Sequence, residues 1–140
     1  MSVEIEFPFE FVVEGTAVSA QTARAQSRRA WQARIIEASR SALPEGHFAS
    51  EAPISITLYY FPAVPMPGDI DNIVKPILDA MTHHIYLDDH QVERLVVQKF
   101  EPERGHSFSL PTAILIDALN RPRPALYIRL SDNPLEDFAR

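Results

Sequence analysis

Hydrophobic and polar residues alternate along the first segment of the chain. The apolar positions of this alternation are Ile5, Phe7, Phe9, Phe11 and Val13, and the opposite face carries Glu4, Glu6, Glu10 and Glu14. A period of two predicts a strand with one buried face. Because Pro8 cannot donate a hydrogen bond to a neighbouring strand, we expect this strand at a sheet edge.

The segment 21–43 has apolar residues at helical spacing and is followed by Pro44. This spacing predicts a helix that packs through Trp31, Ile35, Ala38 and Ala42. Arg24 and Arg28 fall close to the azimuth of Trp31, so the first two turns should project past the core. The segment holds one glutamate, Glu37, against the arginines Arg24, Arg28, Arg29, Arg34 and Arg40. Its basic face is either a solvated surface or a phosphate-binding surface.

The rest of the chain predicts strands and one further main helix. Residues 53–61, 94–100 and 125–130 are rich in β-branched and aromatic residues and predict strands. Residues 85–87 form a short apolar run that we interpret as a strand, and residues 71–82 contain the helix. Periodicity does not decide whether residues 112–119 form a helix or a strand. We expect this apolar segment either to extend a dimer interface or to cap the core. We predict one mixed α+β domain over residues 1–140, a small sheet packed with two main helices.

Composition limits the chemistry that the chain can use. There is no cysteine, which excludes disulfides, thiolate metal sites and cysteine nucleophiles. No apolar run approaches ~18 residues, and the acidic N-terminus does not resemble a signal peptide, so we expect a cytoplasmic protein. The 140 residues carry a net charge of −6, which by itself disfavours a nucleic-acid partner.

The segment around residues 69–82 carries the most informative polar residues. On a helical wheel, Asp71, Lys75, Asp79 and Thr82 form a narrow polar stripe opposite an apolar face. Pro76 is tolerated only near a helix start, so the helix should begin near Asn72, a good N-cap residue. Asp69 and Asp71 would then lie on an extended lead-in and point the same way.

Two neighbouring carboxylates repel each other unless a cation lies between them. Oxygen ligands without cysteine select hard ions, which favours Mg²⁺ and allows Mn²⁺. Asp88 and Asp89 follow the 85–87 run, where they could present a further carboxylate. This inventory is typical of a Mg²⁺-dependent phosphoryl-transfer or phosphodiester-hydrolysis site. Each pair taken alone has an ordinary interpretation, since aspartates also cap helices and form turns. His83 and His84 are expected to be surface histidines at the helix end.

The combined pattern resembles the RusA family of Holliday-junction resolvases. The resemblance covers roughly residues 67–99 and is carried by Asp69, Asp71, Asn72, Lys75, Leu78, Asp79, Ala80, Tyr86, Asp88, Asp89, Gln91 and Val92. It implies a homodimeric Mg²⁺-dependent endonuclease that cuts two symmetry-related strands of a four-way DNA junction.

The resemblance also implies a role for each matching residue. Asp69, Asp71 and Asp89 would bind the metal, with Asp88 beside them. Lys75 matches the family's essential lysine, and its ammonium would neutralise charge on the scissile phosphate. Asp79 would hold Lys75 in place, unless the two form only a surface ion pair. We expect DNA contacts from Lys75 and from the arginines Arg24, Arg28 and Arg29.

Two departures from the family pattern bear on the substrate. The loop before Asp69 has no basic residue, and the stretch 105–124 is longer than the family's usual turn. Two other functions therefore remain open: a diverged member that binds nucleic acid or protein without cutting, and a Mg²⁺-dependent nuclease for another branched or single-stranded substrate. The net charge does not exclude DNA, because five aspartates of the candidate site supply much of it.

Overall fold

The computed structural model describes residues 3–21 and 24–136. Four strands and three α-helices follow one another in this order: β1 (Phe9–Glu14), α1 (Ala25–Ser39), β2 (Ile54–Phe61), α2 (Val74–Met81), β3 (Val92–Lys99), α3 (Ala113–Asn120) and β4 (Ala125–Ser131). Two 3₁₀ turns, Ile70–Ile73 and Asp89–Gln91, precede α2 and β3. The α+β prediction is confirmed, with α3 as a helix beyond the two expected.

The strands form one mixed sheet in the order β1-β4-β2-β3. β4 pairs antiparallel with both β1 and β2, whereas β2 and β3 are parallel. The prediction that the first strand lies at an edge is therefore confirmed, and β3 forms the other edge. The strand begins only at Phe9, later than the alternation suggested, because Pro8 interrupts the ladder.

The two faces of the sheet carry separate hydrophobic clusters. α1 and α2 cover one face, where Trp31, Ile35 and Ile77 pack on Ile56 and Leu58. α3 covers the other face through Leu115 and Ala118, which join a cluster that includes Val12, Phe61 and Tyr127. The segment 112–119 is thus a helix and not a strand, and Thr112 caps α3 by accepting a hydrogen bond from Leu115 N at 3.1 Å.

Helix α1 is shorter than its sequence pattern predicted. Residues 22 and 23 lie outside the described residues, and Arg24 is the extended N-cap. The helix ends at Ser39 instead of Leu43, and tighter hydrogen bonds follow, such as Ala42 N to Ser39 O at 3.0 Å. Buried Ser39 accounts for this early end, since its hydroxyl donates back to Ile36 O at 2.6 Å.

The apolar run 85–87 is not a strand, which corrects the sequence interpretation. Only Tyr86 forms isolated bridges, to Ser50 and Thr82. The chain reverses at His83, which has a positive φ of 69°, and this leaves no room for a regular strand before Asp88. The described helices include none that is both long and apolar enough to cross a membrane.

Candidate active site

Pro76 determines how the chain enters helix α2. It is the third residue of the helix, so its missing N–H falls where the amides have no helical partner. Because proline has no N–H, the carbonyl four residues earlier, that of Asn72, receives no helical hydrogen bond from it. Ala20 N donates to this carbonyl at 2.7 Å instead, which fixes the lead-in against the segment before α1.

The lead-in to α2 is a 3₁₀ turn and not the extended segment that we predicted. Asp69 is the extended N-cap of this turn, with φ −94° and ψ 148°, and Asp71 lies inside it. Asn72 is also inside the turn and is not an N-cap residue. The alternation argument that pointed Asp69 and Asp71 the same way is therefore wrong, because it requires an extended backbone for both residues.

Lys75 connects α2 to the turn before β3. Its Nζ lies 3.0 Å from Asp79 Oδ1 and 3.0 Å from Asp89 Oδ2. The hydrogen bonds that Lys75 donates, first to Asp79 and then to Asp89, raise the pKa of Lys75, so its side chain stays charged over the physiological range. The expected contact between Lys75 and Asp79 is present, and Asp89 joins the same ammonium.

Gln91 holds the turn that presents Asp89, a role that the sequence did not reveal. The side chain is buried, and its Oε1 accepts hydrogen bonds from Leu87 N and Asp88 N, each at 2.9 Å. Its Nε2 donates to Ser50 O and Ala52 O, also at 2.9 Å. A motif match marked Gln91, but only the fold shows that it ties the turn to the segment before β2.

Asp88 is committed to the same turn. It is the N-cap residue, and its Oδ1 accepts a hydrogen bond from His90 N at 3.1 Å. The His90 ring also lies 3.2 Å from that carboxylate. The backbone hydrogen bond from His90, together with its ring, lowers the pKa of Asp88. Asp88 is therefore arranged as a capping residue beside Asp89.

The four aspartates that we expected to bind metal are only partly brought together. Asp71 and Lys75 line the same groove, and Lys75 holds Asp89. In the described ranges, no group of three or more Asp, Glu, His or Cys side chains is close enough to hold a metal ion. Asp69 and Asp71 are exposed, and their all-oxygen chemistry fits a hard cation. Convergence of a third carboxylate would require Asp89 to move off Lys75.

An apolar groove of about 370 Å³ adjoins these charged groups. It runs between α2 and the edge strand β3, and its lining residues are Ile70, Asp71, Val74, Lys75, Leu78, Leu95 and Val97. Asp71 and Lys75 therefore lie at the border of an exposed hydrophobic surface.

The arginine end of α1 projects from the molecule. From Ala25 to Ala30 no side chain is buried, and Trp31 is the first residue of the helix in the core. Arg24 and Arg29 are exposed, and Arg28 is half-buried. None of these three side chains has an ion-pair partner in the part of the chain that the structure describes.

A histidine links α1 to the end of α2, contrary to the prediction of surface histidines. His84 Nε2 lies 2.8 Å from the buried Ser39 Oγ, and its carbonyl is 2.8 Å from His47 Nε2. Burial lowers the pKa of His84, and the neighbouring His47 and Arg40 lower it further. His83 is the exposed residue of the pair.

Residues 11–107 match the protein family described as Endodeoxyribonuclease RusA. This match covers more than half of the chain and includes Lys75 and all four candidate aspartates. The chain belongs to the RusA endodeoxyribonuclease family. Membership places it among enzymes that hydrolyse DNA and resolve branched junctions. The RusA match ends before α3 and β4, which lie outside residues 11–107. No curated protein matches the chain.

Proposed function

We propose that this RusA-family protein is a Mg²⁺-dependent endonuclease that resolves four-way DNA junctions. It would act as a homodimer in the cytoplasm and hydrolyse one phosphodiester in each of two symmetry-related strands. The observation that carries the proposal is Lys75, whose ammonium is held 3.0 Å from both Asp79 and Asp89. Within the RusA match, such a lysine is the natural partner for a phosphate group.

Asp69, Asp71 and Asp89 are the residues that would hold the divalent cation, with Asp88 beside them. When bound, Mg²⁺ or Mn²⁺ would lower the pKa of a water and offset charge on the phosphate. The exposure of Asp69 and Asp71 supports this assignment, since neither carboxylate is committed to a hydrogen bond within the described residues. Asp89 would exchange its contact with Lys75 for the cation.

Lys75 would place its positive charge against the phosphate oxygens as negative charge develops there. Asp79 keeps the ammonium on this face of α2, because a lysine and an aspartate four residues apart are neighbours on a helix. Gln91 would act as a positioning residue, since it fixes the backbone of the turn that carries Asp88 and Asp89.

The arginines Arg24, Arg28 and Arg29 would bind the DNA backbone away from the reacting phosphate. They lack partners in the described protein and extend beyond the core, which leaves their charge available for phosphates. We expect modest affinity that depends steeply on salt, because the protein as a whole is acidic.

The second candidate function is that of a nuclease for another branched or single-stranded DNA. It is favoured by one observation, the loop of residues 62–68, which contains no basic residue to contact a junction. A third candidate, a family member that binds without cutting, requires that the carboxylates no longer take up metal.

A substrate panel tests the proposal. The protein is incubated with Mg²⁺ and with a four-way junction, a flap, a duplex and a single strand of matched sequence. We expect paired cuts in the junction, leaving ends that a ligase reseals, and little cleavage of the duplex. Preferred cleavage of the flap or single strand would support the second candidate. No cleavage of any substrate, together with no Mg²⁺ binding by calorimetry, would support the third.

A further inference from the structure

Strand β3 forms an edge of the sheet to which no further strand of the described chain is paired. Within the described residues it pairs with β2 alone, and it contains eight residues without a proline. The register irregularity of the β2–β3 pair lies between Ile54 and Ser55, so β3 is regular from Arg94 to Lys99. Native proteins usually block such an edge, because its free N–H and C=O groups pair readily with another strand.

The side chains of β3, half of them apolar, are also unusually exposed. None of its eight residues is buried, and Leu95 is 38% exposed. Leu95 and Val97 face the groove of about 370 Å³ that runs along α2. The open edge and the apolar groove are therefore continuous, and a single partner could cover both.

The sequence of β3 is complementary to itself when reversed. If two copies pair antiparallel about Val96, Leu95 lies opposite Val97 and Arg94 lies opposite Gln98. Glu93 then lies opposite Lys99 at both ends, which pairs opposite charges across the strands. Each apolar residue thus meets an apolar residue, and each charge meets a charge of opposite sign or an amide.

Neighbouring registers lack this complementarity. Pairing about Leu95 would place Arg94 opposite Val96 and Glu93 opposite Val97. Pairing about Val97 would place Leu95 opposite Lys99. Both registers bury a charge against an apolar side chain, which is costly, so the charges select the register about Val96.

We propose that the β3 edge and its groove bind a second copy of this chain, antiparallel and in register about Val96. Two strands that pair in this way are related by a two-fold axis perpendicular to the sheet. Both copies of α2, each with Lys75 and Asp71, then lie on the same face of an eight-stranded sheet. Only the homodimer rests on the proposed function; the location of its interface is argued from β3 itself.

The first test uses the absence of cysteine from the chain. In a Val96→Cys protein the two sulfurs would face each other across the axis, and a short bis-maleimide should link most of the protein into a covalent dimer. Val64→Cys, on a loop at 66% exposure, is the matched single-cysteine control and should stay largely unlinked. Equal linking of both variants, or of neither, would overturn the proposal.

The second test reverses charges and measures the dimer dissociation constant by sedimentation, without DNA or metal. Glu93→Lys faces Lys99 of the other copy and should raise that constant about ten-fold, counting two pairs. Glu93→Lys combined with Lys99→Glu should restore part of it, because Lys99→Glu also breaks the 3.0 Å contact with Glu101 of the same chain. Glu14→Lys on the opposite edge strand should leave it unchanged. Thermal unfolding of each variant verifies that it folds.

The outcomes separate the interface from the function. A protein that is monomeric at all concentrations contradicts both the interface and the homodimer. A dimer that is indifferent to the charge reversals contradicts the β3 interface and leaves the homodimer in place. If the protein forms the β3 dimer but does not cleave junctions, only the proposed function is contradicted.

Discussion

Two cationic regions of this protein are built in opposite ways. Lys75 lies between two carboxylates at 3.0 Å, on a helix whose start is fixed by Pro76. Arg24, Arg28 and Arg29 extend from the end of α1 without a partner among the described residues. The ammonium of Lys75 is held in a fixed position, whereas the three guanidinium groups are available to bind a ligand. A reacting phosphate needs a positioned charge, whereas the DNA backbone needs available charge.

Replacing Lys75 should have the largest effect on catalysis. We expect Lys75→Met to lower the single-turnover rate of junction cleavage by roughly 10²–10³-fold, the range for losing one charge-stabilising donor, with little change in junction affinity. Arg121→Gln is the matched control, because it removes a helical cation paired four residues apart with Asp117 and distant in the chain from the site. A Lys75→Met protein that cuts at the normal rate would remove the distinction between the two regions.

The arginine region should affect binding and leave chemistry intact. A triple variant, Arg24→Gln with Arg28→Gln and Arg29→Gln, should bind the junction about ten-fold more weakly or worse. The slope of log affinity against log salt should become shallower by roughly 0.9 for each phosphate that the variant no longer neutralises. Arg34→Gln with Arg40→Gln changes the same helix and should have a smaller effect. If the triple variant instead lowers the rate at saturating DNA, these arginines act on the chemistry.

Gln91 should combine a stability effect with a catalytic one. Gln91→Ala leaves two amides and two carbonyls without their partners, and we expect the free energy of unfolding to fall by about 2–3 kcal/mol. Cleavage should fall as well, measured at a temperature where the variant is folded. Gln26→Ala, at an exposed position of α1, is the control and should change neither quantity. Unaltered cleavage by the folded variant would show that the turn needs no such support.

Asp79 tests whether Lys75 must be held. Asp79→Asn should lower cleavage about ten-fold, which corresponds to ~1.4 kcal/mol, and Asp79→Glu should recover part of the loss. The free energy of unfolding should change by less than ~1 kcal/mol, because the pair is solvent-exposed. An unchanged cleavage rate would mean that the contact between Lys75 and Asp79 is only a surface ion pair.

The smallest effect concerns His84, which links the end of α2 to Ser39, the last residue of α1. Burial, His47 and Arg40 hold the pKa of His84 below its ordinary value of ~6.5. The unfolded chain therefore takes up this proton first, so this contribution to stability is complete above ~6.5 and is lost as pH falls from there through the lower pKa of the folded protein. In denaturant titrations from pH 7 to pH 5, His84→Gln should lose less stability than the parent protein.

Gln26→Ala, at an exposed and non-titrating position of α1, is the control for this comparison and should retain the parent's pH dependence. Identical pH dependence in His84→Gln and the parent would mean that His84 contributes nothing to the acid loss of stability.

Local chemistry made much of the fold predictable. The alternation of β1, the apolar stripe of α1 through Trp31 and Ile35, and the start of α2 near Pro76 follow from periodicity and proline geometry. The 3₁₀ turn that contains Asp71 did not, because it is stabilised by a hydrogen bond that the N–H of Ala20, distant in the chain, donates to the carbonyl of Asn72. Nor could periodicity assign α3, which is eight residues long and apolar on most of its surface.

The sequence marked candidate residues for the site but not how the fold arranges them. The motif marked Lys75, Asp79 and Asp89, but the contact between Lys75 and Asp89 spans 14 positions of the chain and depends on the parallel pairing of β2 with β3. The role of Gln91 likewise depends on carbonyls of residues 50 and 52, which approach it only in the folded chain.

The most direct test of the account is single-turnover cleavage of a four-way junction by an Asp71→Asn protein at saturating Mg²⁺. We predict that this variant still binds the junction, as measured by a mobility shift, and cuts it at least ~10²-fold more slowly than the parent. We also predict that the parent makes no cut when Mg²⁺ is chelated. Normal cutting by Asp71→Asn, or by the parent without a divalent ion, would contradict the central claim.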